Sequence, residues 1–550
     1  MLRCIPRINN FPISMITIIL LYNYLFYLYG INLTSHAAKI IIPGPVVEGM
    51  GHTQVLSTLT SRLVDVGHKV SLLSGSQKCS EKFAASNASQ TIYYRSPNAT
   101  VNAEVGKDLA KVKFYEYNDE DNKDIFIRMY RNMAADCGAI LGNNDLLERL
   151  KSENFDLLIG DMLSPCDIFI ANILDIPWIA VTANRQYVLI SNIVYRVPAE
   201  LSYVPQPFAM HTATDKMSFF ERLANVMAYF SMNYLVFPYF MKLEFVKIKE
   251  EYNIAPEMDI WEMSSKAELW LTQTSMVLDF PGPGLPNVVP VGGLGVRPRN
   301  ALPKDLADFV AGSGDHGFII FSLGSIIKFL PDAPETRIIT SVLSKLPQRV
   351  VWKHDGPMPP NLGTNNTNIK TMKWLPQNDL LGHPKARLYL AHGGLNGIYE
   401  SIYHAVPMVV IPLMLDDQKE NAHRVATKGM GIRLERSKLT EEVLMDAITK
   451  VIYDTKYQET VTRYSEILRD KPPLETAVHW IEHVLKFGGS HLRPKAFELS
   501  WIQYHLIDVG AFLVAILLFV ISLLSFIVYL SCRLCGYCNR THVKTHVKED

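Results

Sequence analysis

A surplus of charge of either sign is missing from this sequence. Over 550 residues, 54 Lys and Arg stand against 54 Asp and Glu. With no net field, the chain has no global attraction for nucleic acid. Cysteine is scarce too. Only Cys79, Cys137 and Cys166 lie between residue 39 and the long apolar run near the carboxyl end. Three thiols exclude a disulfide framework and permit one bridge at most, whose pairing the sequence leaves open. The loop GPVVEGMGH, residues 44–52, lacks the G-x-G-x-x-G spacing, which disfavours nicotinamide or flavin as a cofactor. Internal repeats and long low-complexity segments are absent. Cys532, Cys535 and Cys538 form a C-x2-C-x2-C run without the second paired motif that a four-ligand zinc site shows, so they read as juxtamembrane thiols open to acylation.

Two long apolar stretches are present. Ile13 to Leu28 follows Arg3 and Arg7, the pattern of a secretory signal spanning residues 1–38, with cleavage between Gly30 and Ala38. Val509 to Leu530 carries no charge and is long enough to cross a bilayer as one helix. Arg533, Arg540, Lys544 and Lys548 follow it. Basic residues favour the cytosolic side, so the body of the chain is expected in the lumen, a single-pass type I arrangement. Sequons at Asn32, Asn87, Asn98 and Asn365 agree, while that at Asn539 falls in the basic tail, residues 531–550. The ending HVKED is a poor dilysine signal.

Between these stretches, strand and helix patterns alternate. KIIIP, residues 39–43, is a short β-branched strand. Val55, Leu56, Leu59, Leu63 and Val66 then recur at helical spacing, and Lys69 to Leu73 reads as the next strand. That is a βαβ opening, with His52 at the mouth of its first strand. Phe155 to Gly160 is another strand, with Asp161 at its carboxyl end. Residues 217–246 are crowded with aromatics, which suits core packing or, equally, an acceptor-pocket wall or membrane-facing helix. The stretch from Phe280 to Asn287 is rich in turn formers and reads as an interdomain linker. Gly317 to Ser325 runs a strand into a small-residue loop where Ser322 and Ser325 can donate to phosphate. Helical patterns follow at 439–453, 456–469 and 478–487.

The stretch from Trp374 to Ala422 is the most informative. The strand Ala386 to Ala391 leads into His392-Gly393-Gly394 and a helical LNGIYESIYHAV; a second apolar run, Pro407 to Leu413, ends at Asp416-Asp417-Gln418. A glycine turn between a buried strand and a helix lets the backbone approach a ligand and offers free N–H groups to an anion. Trp374, Pro376-Gln377, the HGG triplet, Asn396-Gly397, Glu400 and Asp417-Gln418 fall in the order of the UDP-glycosyltransferase signature, and the segment resembles the animal UDP-glucuronosyltransferases.

The resemblance implies an α/β protein of the GT-B fold, with two Rossmann-like domains facing a cleft and one carboxyl-terminal transmembrane helix. An acceptor domain is expected over 39–285, a nucleotide-sugar domain over 286–490, a juxtamembrane segment over 491–508 and the membrane helix over 509–530. It implies inverting transfer of a glucuronosyl or glucosyl group from UDP-glucuronate or UDP-glucose to a small lipophilic alcohol or phenol. The UDP-sugar is then a co-substrate, and neither cofactor nor metal is expected. His52 matches the family's catalytic base, and Asp161 the carboxylate beside it. Trp374 and Gln377 would meet uracil, and Glu400 the ribose hydroxyls. Ser322, Ser325, His392 and the turn Gly394, Asn396 and Gly397 would take the diphosphate; Asp417 and Gln418 would hold the sugar.

Two departures stand out. One extra residue before the Asp-Gln pair leaves Asp416 as an alternative to Asp417, with Asp417 favoured because it keeps the pair. Gln273 in Trp270-Leu-Thr-Gln stands where glucuronate users carry Arg, which removes a charged partner for a carboxylate donor. The resemblance also implies residence in the endoplasmic reticulum, and leaves assembly with a second copy or another chain open. A transferase dedicated to one lipid or hormone, or a non-catalytic partner subunit, are the competing readings.

Overall fold

The computed structural model describes residues 37–44, 51–75, 88–97, 119–182, 194, 196–206, 212–324, 333–354, 356, 362, 368–413 and 416–545. The side chains of 119–126, 129, 237, 238, 240–243, 416 and 535–545 are outside that description. So are the expected signal segment up to residue 36, the sequon asparagines Asn32, Asn87, Asn98 and Asn365, and Ser325. The chain divides into two compact units, Met1–Leu492 and Arg493–Asp550.

The first unit holds two parallel sheets. Strands β1 (Lys39–Pro43), β2 (Lys69–Ser74), β3 (Gln90–Tyr93), β4 (Leu157–Asp161), β5 (Trp178–Thr182), β6 (Leu269–Thr272) and β7 (Val288–Pro290) build one, in the order β3-β2-β1-β4-β5-β6-β7. Strands β8 (Phe318–Ser322), β9 (Arg349–Lys353), β10 (Ile369–Met372), β11 (Ala386–Ala391), β12 (Met408–Val410) and β13 (Gly431–Arg433) build the other, in the order β10-β9-β8-β11-β12-β13. Continuous apolar runs such as IIIP and FIIFS suit strands covered on both faces. Ile40, Ile41, Ile42 and Phe318 to Phe321 are fully buried.

In each sheet the strand order reverses once, between β1 and β4 and between β8 and β11. Crevices outside the carboxyl ends of strands at such switch points are where open α/β sheets take ligands. Six helices of this unit carry the argument: α1 (Gly51–Asp65) after β1, α2 (Cys166–Leu174) after β4, α3 (Phe219–Ser231), α4 (Leu395–Tyr403) after β11, α5 (Asp416–Thr427) after β12, and α6 (Pro473–Phe487).

Two features differ from the sequence reading. Val288–Pro290, placed beyond the change of domain at 285, is the last strand of the first sheet and satisfies the open edge of β6. Helix α6, placed in the second domain, joins the core of the first sheet, its Ala477, Val478, Ile481 and Val484 sharing one apolar cluster with Val55, Leu59 and Leu63 of α1. It starts at Pro473, a turn before the expected 478, because proline is pre-organised for a first helical position. The aromatics of 217–246, for which core packing and an outward-facing surface stood open alike, divide between the two: Phe245 is fully buried in the core. Along α3, Tyr229 faces inward while Phe219, Phe220, Leu223, Met227 and Phe230 are 48–77% exposed. Cys137 and Cys166 form a disulfide, resolving the open pairing.

The second unit, taken by itself, contains α7 (Ile507–Thr545). Its portion Ile507–Leu534 contains an 18-residue stretch of mean hydropathy 3.1 and is long and apolar enough to cross a membrane. The expected span 509–530 lies within it.

Candidate active site

β1 and β4 are neighbours, with Ile40 opposite Leu157 and Ile41 opposite Leu158, so their carboxyl ends lie side by side. Helix α1 begins just beyond β1 and carries His52 at its second position; Asp161 is the last residue of β4. The topology therefore brings together two residues far apart in sequence. His52 Nδ1 lies 2.5 Å from Asp161 Oδ2, and both side chains are buried. The other oxygen, Oδ1, accepts the Leu163 N–H at 3.0 Å. Burial opposes charge on the imidazole, but the Asp161 carboxylate, through its field and hydrogen bond, and then Asp417 outweigh it, and the His52 pKa is raised above 6.5. Asp417 belongs to α5, beyond the second sheet, so the two lobes converge electrostatically on this histidine.

Behind the pair, the Asp161 N–H donates to Asp167 Oδ2 at 2.9 Å. Burial, then the charge of Asp161, pushes the Asp167 carboxyl well above the usual range, favouring its neutral form. Residue 160 must be glycine here, since a Cβ would sit 2.8 Å from the Asp167 side chain.

At the second switch point, Ser322 ends β8 and His392 follows β11. Gly324 and Gly394 flank the His392 ring so closely that a Cβ on either would lie within 2.8 Å of Nε2. Burial, reinforced by the charge of Lys353, lowers the His392 pKa to about 4, so the ring is neutral near pH 7. Its Nδ1 has no hydrogen-bond partner among the described residues. Lys353 Nζ donates to the Gly324 carbonyl at 2.6 Å, tying β9 to the same turn. Gly393 has φ +94°, where a side chain would strain the backbone, and a Cβ there would lie 2.7 Å from the Gln418 carbonyl.

Glu400 on α4 is buried, with both carboxylate oxygens engaged. Gln377 Nε2 donates to Oε2 at 2.6 Å, and Tyr389 Oη in turn donates to Gln377 Oε1 at 3.1 Å. Gln54 Nε2, from α1 on the first lobe, donates to Glu400 Oε1 at 2.8 Å. Asn396 Nδ2 donates to the Gly51 carbonyl at 3.0 Å and to Gln54 Oε1 at 3.1 Å. Gly397 packs on Tyr389, whose Oη a Cβ would approach to 2.6 Å. Gln418 Oε1 accepts the Leu413 N–H at 3.1 Å, and Trp374 is 70% exposed. Asp417 is half-buried, whereas the side chain of Asp416 is not described. Gln273 is fully buried and its Oε1 accepts the Gly293 N–H at 2.9 Å. Among the described residues no group of three or more His, Cys, Asp or Glu is arranged to hold a metal.

Gln54, Asp167 and Lys353 escaped the sequence reading. Gln54 sits on the outer side of an amphipathic helix and looks like ordinary surface. Asp167 looks like a helix-start acid. Lys353 ends an apolar strand and carries no motif.

Two parallel sheets, each reversing its strand order once, with a buried His52–Asp161 pair at one reversal and the Gly393 turn at the other, have the architecture of the GT-B fold. Solved structures agree on the fold. The glycotransferase of kitacinnamycin aligns over 82% of this chain and 99% of its own, with TM-score 0.56 and 19% identity. A UDP-glucosyltransferase from Polygonum tinctorium aligns over the same shares, with TM-score 0.57 and 16% identity. The family model for UDP-glucoronosyl and UDP-glucosyl transferase matches residues 45–549, and the chain belongs to that family. Among its relatives, UDP-glucuronosyltransferase 2A2 of Mus musculus is 39% identical over 69% of this chain and 70% of its own. The 2-hydroxyacylsphingosine 1-beta-galactosyltransferase of Homo sapiens is 35% identical over 90% of this chain and 89% of its own. The protein is a UDP-glycosyltransferase.

Proposed function

We propose that this membrane-anchored enzyme moves a hexosyl group, glucuronosyl or glucosyl, from its UDP-sugar to a hydroxyl of a small lipophilic acceptor, with His52 as the general base. The supporting observation is that His52, hydrogen-bonded to Asp161 on one lobe, feels the charge of Asp417 on the other. The acceptor hydroxyl gives its proton to the free nitrogen of a neutral His52 while its oxygen bonds to the anomeric carbon. The bond from that carbon to the diphosphate oxygen breaks, and UDP leaves with the electron pair. Attack opposite the leaving group inverts the carbon. Asp161 holds the imidazole in register and stabilises the imidazolium.

On the donor side, Ser322, Ser325, the N–H face of His392 and the amides of Gly394, Asn396 and Gly397 at the start of α4 take the diphosphate charge. Trp374 offers its exposed face to uracil. Glu400, oriented by Gln377, accepts the ribose hydroxyls, and Asp417 and Gln418 hold the sugar. The anchor is α7, with the catalytic lobes in the lumen of the endoplasmic reticulum. The test is transfer by expressed membranes from UDP-glucuronate and UDP-glucose to a simple phenol, with His52→Ala beside it. The variant is expected to lose transfer and keep UDP binding; retained turnover rejects His52 as the base.

A second reading narrows the substrates to a neutral hexose and a single lipid alcohol. Two observations favour it. Gln273 is uncharged and tied to Gly293, and the human relative matched over most of the chain is named for a sphingolipid acceptor. An acceptor panel that includes a long-chain lipid alcohol, run with UDP-galactose as well, separates the two.

A further inference from the structure

Gln54 lies two residues beyond His52, on the first turn of α1, where Thr53, Val55 and Leu56 are buried. Its amide faces the other lobe. Nε2 donates to Glu400 Oε1 at 2.8 Å while Oε1 accepts from Asn396 Nδ2 at 3.1 Å. The same Asn396 Nδ2 reaches the carbonyl of Gly51, on the other side of His52, at 3.0 Å. The base is thus bracketed by two residues that both grip α4. What they grip is the donor machinery, because Asn396 is a phosphate-turn residue and Glu400 the ribose carboxylate of the reading above.

We propose that Gln54 is a positioning residue that ties capture of the nucleotide sugar on the second lobe to placement of the His52 base on the first. The inference rests on the assignment of Glu400 to ribose. Both oxygens of that buried carboxylate already accept from primary amides, Gln377 and Gln54. A carboxylate presents about four lone-pair sites, so an arriving ribose diol shares them with Gln54 or displaces it. Either way, filling the ribose site changes the hydrogen bonding of a side chain one turn or less from the base. An amide suits this position because it donates to the carboxylate and accepts from the asparagine at once; a leucine does neither, and a glutamate would set two carboxylates against each other.

The experiment is steady-state transfer with the full chain in membranes, together with UDP affinity and Tm for each variant. Gln54→Leu is expected to lower kcat at saturating donor by about tenfold, with UDP affinity and Tm within about twofold and a few degrees of the parent. Gln54→Glu should fall further. Adding Glu400→Gln to it restores an amide–carboxylate pair with donor and acceptor exchanged, and Gln377 and Asn396 keep acceptors. This double swap should recover kcat at saturating donor relative to Gln54→Glu alone, a result general damage to the fold would not give. Unchanged kcat in Gln54→Leu, or no recovery in the swap, overturns the inference. Glu400→Gln alone separates the two levels. If its UDP affinity is unchanged, the ribose assignment fails and the inference with it. If affinity falls there while Gln54→Leu keeps full kcat, only the inference fails.

Discussion

Nδ1 of His52 stands 2.5 Å from Oδ2 of Asp161, across 109 positions of sequence. The contact makes the charge state of His52, the proposed base, dependent on a neighbouring carboxylate. As the proposed base, His52 would work only when neutral, and its pKa is raised above 6.5. Below the raised pKa the imidazolium cannot accept a proton, so the rate falls as pH drops. The acid limb of kcat/KM is therefore expected above pH 6.5. Asp161→Asn removes the charge that raises the pKa and leaves burial in control, so the limb moves down while kcat falls by about 10²–10⁴-fold. A pH–rate profile of both proteins checks this; an acid limb at or below 6.5 in the parent contradicts it.

His392 should behave in the opposite way. With a pKa near 4, it stays neutral through the range in which His52 titrates. UDP affinity should show no step between pH 5 and 8 traceable to His392, and His392→Ala should weaken UDP binding without moving the acid limb of the rate. Calorimetric UDP titrations at several pH values give the answer. An affinity step that disappears in His392→Ala would show that the ring binds as a cation.

Gly393 is sensitive to the smallest substitution. Its φ of +94° and the Gln418 carbonyl 2.7 Å from a would-be Cβ leave no room for alanine. Gly393→Ala is expected to cost about 1–3 kcal/mol locally and to displace the turn. Transfer should be lost while far-UV circular dichroism remains native, because the strain falls on one turn between β11 and α4.

The Cys137–Cys166 bridge fastens the start of α2, next to Asp167, to the helix Asp119–Leu141. Replacing both cysteines by alanine should lower stability by about 2–4 kcal/mol, seen as a drop in Tm. Peptide mapping without reduction should recover these two cysteines joined.

Much of this was legible in the sequence because it lay in local pattern. The run Ala386 to Ala391 is β11 from end to end, since a short, mostly apolar run broken only by the exposed Arg387 and followed by a glycine turn has few other folds open to it. The glycine turn that follows it, at Gly393, was readable in the same local way. What was not legible depends on the third dimension. Nothing in Gln54 or Glu400 announces that they touch across 346 positions. The pairing of Cys137 with Cys166 rather than Cys79 is set by where helices pack. The aromatics of α3 left two readings open because periodicity gives the width of an apolar face and not what covers it.

Helix α6 is among the last parts of this unit to leave the ribosome, yet it covers the apolar side of α1, near the start of the body. Arg62 and Glu475 clasp the two helices with a forked pair of 2.9 Å bonds. The amino-terminal lobe therefore stays unfinished until nearly the whole polypeptide exists. A fragment ending after β7 would lack α6's share of this apolar cluster and the Arg62–Glu475 clasp, and chimaeras joined between the sheets must take residues 473–487 from the same parent as α1 if their halves are to fit.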